Sequence, residues 1–134
     1  MKRLQNAFRV LLVLMIGSLW SSGLIVAPTL FDLLTDRTLA GQLAGRIFSI
    51  ETYLAVAAAV FGLLLPGRAR LIPVYAAAAL LALNEWGLRP YMAQARLNGA
   101  SLGLSFGAWH GVSALLYGTA CAATLWLVWK NDFR

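Results

Sequence analysis

The sequence predicts an all-α integral membrane protein, a four-helix bundle of antiparallel up-and-down spans. Three observations carry that expectation. The 134-residue chain is 60% hydrophobic and 12% charged, whereas soluble domains carry about 25% charged residues. Four apolar runs are each long enough to cross ~30 Å of hydrocarbon at ~1.5 Å per residue. The basic residues gather at the ends of those runs rather than along a polar face. A soluble globule of this size would need more polar surface than the chain owns.

The elements follow in order. The first span covers about 9–31 and contains "VLLVLMIGSLWSSGLIVAPTLF" (10–31). Lys2, Arg3 and Arg9 precede it, as in a signal peptide. The run nevertheless continues past Ser21 and Ser22, and its best small residue near the end, Ala27, is followed by Pro28. An uncleaved span is expected. The second span, 39–65, is stopped by Pro66-Gly67. The third, 71–90, opens near Leu71 and tolerates Pro73 in its first turn, where a missing N–H breaks no helix bond. It ends at Arg89-Pro90, with an interfacial extension toward Asn98. The fourth, 103–129, ends in "LWLVWK". Together they form one domain, 1–134, in contact with the lipid bilayer.

Four spans put both termini on one side. Lys2, Arg3, Arg9, Arg68, Arg70, Lys130 and Arg134 lie at the termini and the 66–70 loop, against Arg37, Arg46, Arg89 and Arg96 opposite. The positive-inside rule then predicts both termini in the cytoplasm. Trp126 and Trp129 fit an aromatic belt at the inner end of span four. The net charge is +6, but without aromatics interleaved on a basic face it points to anionic headgroups and away from nucleic acid. The single cysteine, Cys121, excludes an intrachain disulfide and any cysteine-based metal motif.

Polar residues within the spans identify a candidate pocket. Arg46 and Glu51 lie in span two, Asn84 and Glu85 in the outer half of span three with Arg89 one turn beyond, and His110 and Ser113 in span four. Trp20, Ser21 and Ser22 lie at middle depth in span one. In an antiparallel bundle these fall in one outer slab. Ionisable groups at such depth cost roughly 2.5–3.5 kcal/mol each on insertion scales, so they face the interior and pair. Glu85 and Arg89 stand four apart in the favourable order. Glu51 has no basic residue three or four positions away, so it seeks a partner on another helix, with His110 as one candidate. Phe106, His110, Ser113, Tyr117 and Thr124 form one stripe.

Structural readings stand beside these. A lone intramembrane histidine is commonly an interhelical hydrogen-bond partner, and Glu85–Arg89 is commonly a structural ion pair. Gly41 and Gly45 form a GxxxG, and Ala114, Gly118 and Ala122 repeat small residues in span four. Both patterns permit close helix contact with a second copy or a partner membrane protein. No metalloprotease, nucleotide-loop or hydrolase motif is present, which leans away from an enzyme. No cofactor is predicted, and metal binding stays open. One histidine per chain means that bis-histidine haem would need two subunits. The function readings in order are a transport or stress-resistance protein, an interaction subunit, and a haem- or metal-binding electron-transfer module.

Four stretches in sequence, "SSGLIVAPTLF" (21–31), "AGQLAGRIFSIETYL" (40–54), "NEWGLRPYMAQAR" (84–96) and "FGAWHGVSALLYG" (106–118), resemble the transmembrane protein 205-like family, also called domain-of-unknown-function family 4149. The pattern rests on Pro28, Phe31, Gly41, Gly45, Phe48, Pro90, Arg96, Phe106 and His110. The resemblance covers about residues 9–128 and implies a four-helix membrane domain. Eukaryotic members are associated with resistance to platinum drugs, which implies transport or trafficking. The compact chain resembles the bacterial form, which implies the inner membrane.

Overall fold

The computed structural model describes residues 2–130, apart from the side chain of Arg68. Arg134, one of the charges used for orientation, lies outside the described residues. Among the described residues, four helices are long and apolar enough to cross a membrane: α1 (Lys2–Leu33), α2 (Arg37–Leu63), α3 (Ala69–Asn98) and α4 (Phe106–Lys130). A short antiparallel hairpin, β1 (Ala100–Ser101) and β2 (Leu104–Ser105), joins α3 to α4. The fourth helix therefore starts three residues later than the sequence predicts. Gly99 and Gly103 have positive φ, 83° and 78°, and turn 99–105 into a hairpin. Such backbone suits glycine because it has no Cβ. The third helix runs on to Asn98, so the interfacial extension is continuous with the span.

The chain divides into two compact units, Met1–Leu71 and Ile72–Arg134. In the first, α1 packs along α2. Its buried face is large: Phe8, Leu12, Met15 and Leu19, followed by Ser22. The facing track on α2 is small: Ala40, Ala44, Ala55, Ala58 and Gly62, with Glu51 and Thr52 in its middle. Lipid tails are as apolar as leucine, so burial alone does not bring spans together. Close van der Waals contact does, and small residues allow it. The close-packed positions are Ala40 and Ala44, while the neighbouring Gly41 and Gly45 are half-buried. Phe8 meets Phe61 edge-on at 5.6 Å. Asp36 starts α2 by accepting hydrogen bonds from the backbone N–H groups of Thr38 (2.8 Å) and Leu39 (3.1 Å), which would otherwise lack helical partners.

In the second unit α3 packs along α4. Val74, Ala77, Ala78, Leu81 and Leu88 are buried on α3, and Ala120, Cys121, Thr124 and Leu127 on α4. Many large apolar side chains remain uncovered, among them Val13, Leu14, Leu24, Ile25 and Leu115. In water these would be a liability; against acyl chains they are the contact surface.

Both units carry the same backbone irregularity. In α1 a π-helical stretch spans Ser22–Val26, closed by Ala27 N–H donating to Ser22 O. In α3 another spans Leu83–Leu88, closed by Arg89 N–H donating to Asn84 O. A proline follows each closing residue, Pro28 and Pro90. Proline supplies no N–H and crowds the carbonyl four residues back. Widening the preceding turn by one residue relieves that crowding, and π-helical turns of this kind recur at functional sites.

Candidate functional site

In the first unit the central polar group is Glu51. It is 1% exposed and sits deep within the span. Ser18 Oγ on α1 donates to Glu51 Oε1 at 3.0 Å. Two other hydroxyls of α2 stay on their own helix: Ser49 Oγ donates to Gly45 O and Thr52 Oγ1 to Phe48 O, each at 3.0 Å. Back-bonding of that kind satisfies a hydroxyl without reaching a neighbour. Ser18 is different, because it crosses from one helix to the other. Ser22, also buried, stands one turn beyond Ser18 and opens the π stretch, which itself packs against α2.

The remaining candidates of this unit lie further out. Arg46 is exposed, and Phe31 and Phe48 are half-buried. Sequence reasoning missed Ser18. Its signal was present, since Ser18 and Ser22 are four apart and so share a face of α1.

In the second unit the polar residues gather at the end of α3 and the start of α4. Arg89 donates to Glu85 in an ion pair one helical turn apart. Asn84 Nδ2 donates to Ser113 O at 3.3 Å, so Ser113 takes part through its backbone. Beyond Pro90 the Arg96 guanidinium lies 4.6 Å from the centroid of the Phe106 ring. The Phe106 ring in turn stacks near His110, with centroids 6.0 Å apart and planes inclined by 21°. Beside this stack Tyr91 lies on Trp109, 5.5 Å between centroids and 14° between planes. Trp109 Nε1 donates to Ser101 O, and Ser101 Oγ to Gln94 Oε1, each at 3.0 Å.

His110 itself is exposed, whereas its position on the α4 stripe pointed to the interior. The stripe becomes interior only further along, at Cys121 and Thr124. The physical reason is depth. His110 stands one turn inside the end of the span, where an imidazole can keep polar contact at the interface without protein around it. Tyr91, Gln94, Ser101 and Trp109 were not foreseen as partners. They depend on the hairpin, which the glycines at 99 and 103 could have announced.

Among the described residues no group of three or more His, Cys, Asp or Glu side chains is close enough to hold a metal ion. The arrangement offers instead the enclosed carboxylate of Glu51 and, in the second unit, one guanidinium stacked with two rings, Arg96, Phe106 and His110.

The family model described as a domain of unknown function, DUF4149, matches residues 10–101. The chain belongs to the DUF4149 family. No curated protein and no solved structure matches it. In this DUF4149 chain the matched region contains Glu51, both π stretches and both prolines, as well as Arg96. It stops short of Phe106 and His110, so the ring stack is built from both sides of that boundary.

Proposed function

We propose that this DUF4149 protein is a small multi-pass transporter in a bacterial inner membrane, with both termini cytoplasmic. It moves protons or small cations, and Glu51 is the residue that takes them. The reading rests on one observation: a carboxyl side chain, 1% exposed, in the middle of an apolar helix. A charge at that depth is expensive, and proteins that retain one commonly use it on an ion pathway. Binding a proton or cation lowers the cost. Ser18 suits such an exchange, because a hydroxyl rotor can donate to the ionised carboxylate and accept from the protonated one. Glu85, Arg89, Arg46, Asn84 and His110 are assigned no step.

In proteoliposomes an imposed proton, Na⁺ or K⁺ gradient should decay faster with the protein than without it. Glu51→Gln should abolish the acceleration while the protein stays monodisperse and helical. Unchanged flux in the variant would remove Glu51 from the pathway, and no flux in the unmodified protein would remove transport of these ions.

A second reading, an interaction subunit, is favoured by α4. Ala114, Gly118 and Ala122 are exposed, and Gly111 and Gly118 face open space. Such a face accepts another helix, from a second copy or a partner. Extraction in mild detergent should then recover an oligomer or a defined complex. A monomer that repeatedly purifies alone would count against it.

A further inference from the structure

We propose that the β1–β2 hairpin is a lipid anchor: Leu102, at its tip, seats among the headgroups and upper acyl chains of the adjoining leaflet. Four features meet there. The hairpin pairs Ala100 with Ser105 and Ser101 with Leu104, leaving Leu102-Gly103 as a two-residue turn. Leu102 has φ 50° and Gly103 φ 78°. A turn with both central residues at positive φ favours Asn-Gly or Gly-Gly, and leucine there is strained. The strained leucine is also 74% exposed, with Leu97 84% exposed and Leu104 beside it. At that exposure, packing among the described residues does little to repay the strain.

Depth supplies the occupant. Lys130 Nζ lies 4.5 Å from the centroid of the Trp126 ring at one end of α4, and Arg96 covers Phe106 at the other. Cations over aromatic rings suit the two membrane–water interfaces. The helix between Phe106 and Trp126 is about 30 Å long at ~1.5 Å per residue, the thickness of the hydrocarbon core. The hairpin directly precedes Phe106, so its tip stands at the edge of the hydrocarbon. The stacked Tyr91 and Trp109 and the Trp109–Ser101 hydrogen bond brace its base. An apolar tip on a braced hairpin at this level fits the lipid boundary and would be misplaced in water.

The test is collision accessibility by spin-label spectroscopy. Leu102→Cys in a Cys121→Ala background carries a nitroxide in phosphatidylcholine–phosphatidylglycerol vesicles. Leu115→Cys, on the exposed middle of α4, is the lipid standard, and Leu104→Cys is a second tip position should Leu102→Cys fail to fold. Oxygen should relax the tip label more strongly than a water-soluble nickel complex, to a lesser degree than at Leu115. Leu102→Asn, which suits the turn, should leave the fold intact and shift a label at position 104 toward water. Dominant nickel access at both tip positions would overturn the anchor. So would a label shielded from both reagents, which would mean that protein, not lipid, covers the tip.

Discussion

The two units solve one problem with one device and put it to different ends. Each long helix widens into a π turn and then meets a proline, Pro28 in α1 and Pro90 in α3. After Pro28 the helix stops at Leu33 and a short turn leads into α2. The polar chemistry of that unit is inside, at Ser18 and Glu51. After Pro90 the helix continues to Asn98 and a hairpin follows. Beside the Asn84–Ser113 and Glu85–Arg89 contacts of α3, that unit displays polar groups at its rim, where Arg96 and His110 flank the Phe106 ring. The contrast teaches that a broken span does not by itself make an interior site. What the chain does after the break decides whether polar groups are enclosed or displayed.

The contrast breaks most sharply at Glu51 and His110. Glu51→Ala should cost about 1–3 kcal/mol, because it opens a space in the packed interior and strands the Ser18 hydroxyl. His110→Ala should cost within about 0.5 kcal/mol, as exposed substitutions do. Denaturant titration of both variants in the same detergent checks the difference, and equal losses would erase the distinction between inside and rim. The double change Ser18→Ala/Glu51→Met sharpens it. Removing both polar partners while keeping volume should leave stability near its starting value. A large loss in the double variant would mean that the pair holds α1 and α2 in register, and Glu51 would then be a structural residue.

What could be read from the sequence divides along the same line. Four membrane-length helices were legible because apolar length is a one-dimensional property. Glu85–Arg89 was legible because both residues lie on one helix at a fixed spacing. The Ser18–Glu51 contact was not, since it depends on which faces of α1 and α2 meet. The GxxxG at Gly41 and Gly45 drew attention to the right turn of α2 but to the position beside the buried one, and Ala40 and Ala44 do the packing. His110 misled because periodicity reports a face and says nothing about how far along the helix its neighbours extend. The π turns were legible only as Pro28 and Pro90, residues that announce a disturbance without saying which.

A modest effect is expected at Arg96. A cation over an aromatic ring at an exposed site contributes roughly 0.5–1 kcal/mol, so Arg96→Ala should lower stability by about that amount. Arg96→Lys should recover part of it, because an ammonium keeps the charge but lacks a planar group to lie on the ring. Trp109 offers the readout, since it lies on Tyr91 and donates to Ser101 in the same cap. If the cap is one cooperative structure, Arg96→Ala should shift the fluorescence of Trp109, isolated by replacing the other tryptophans with phenylalanine. If that emission stays fixed while stability falls, Arg96 supports only Phe106, and the rim of the second unit is two separate contacts.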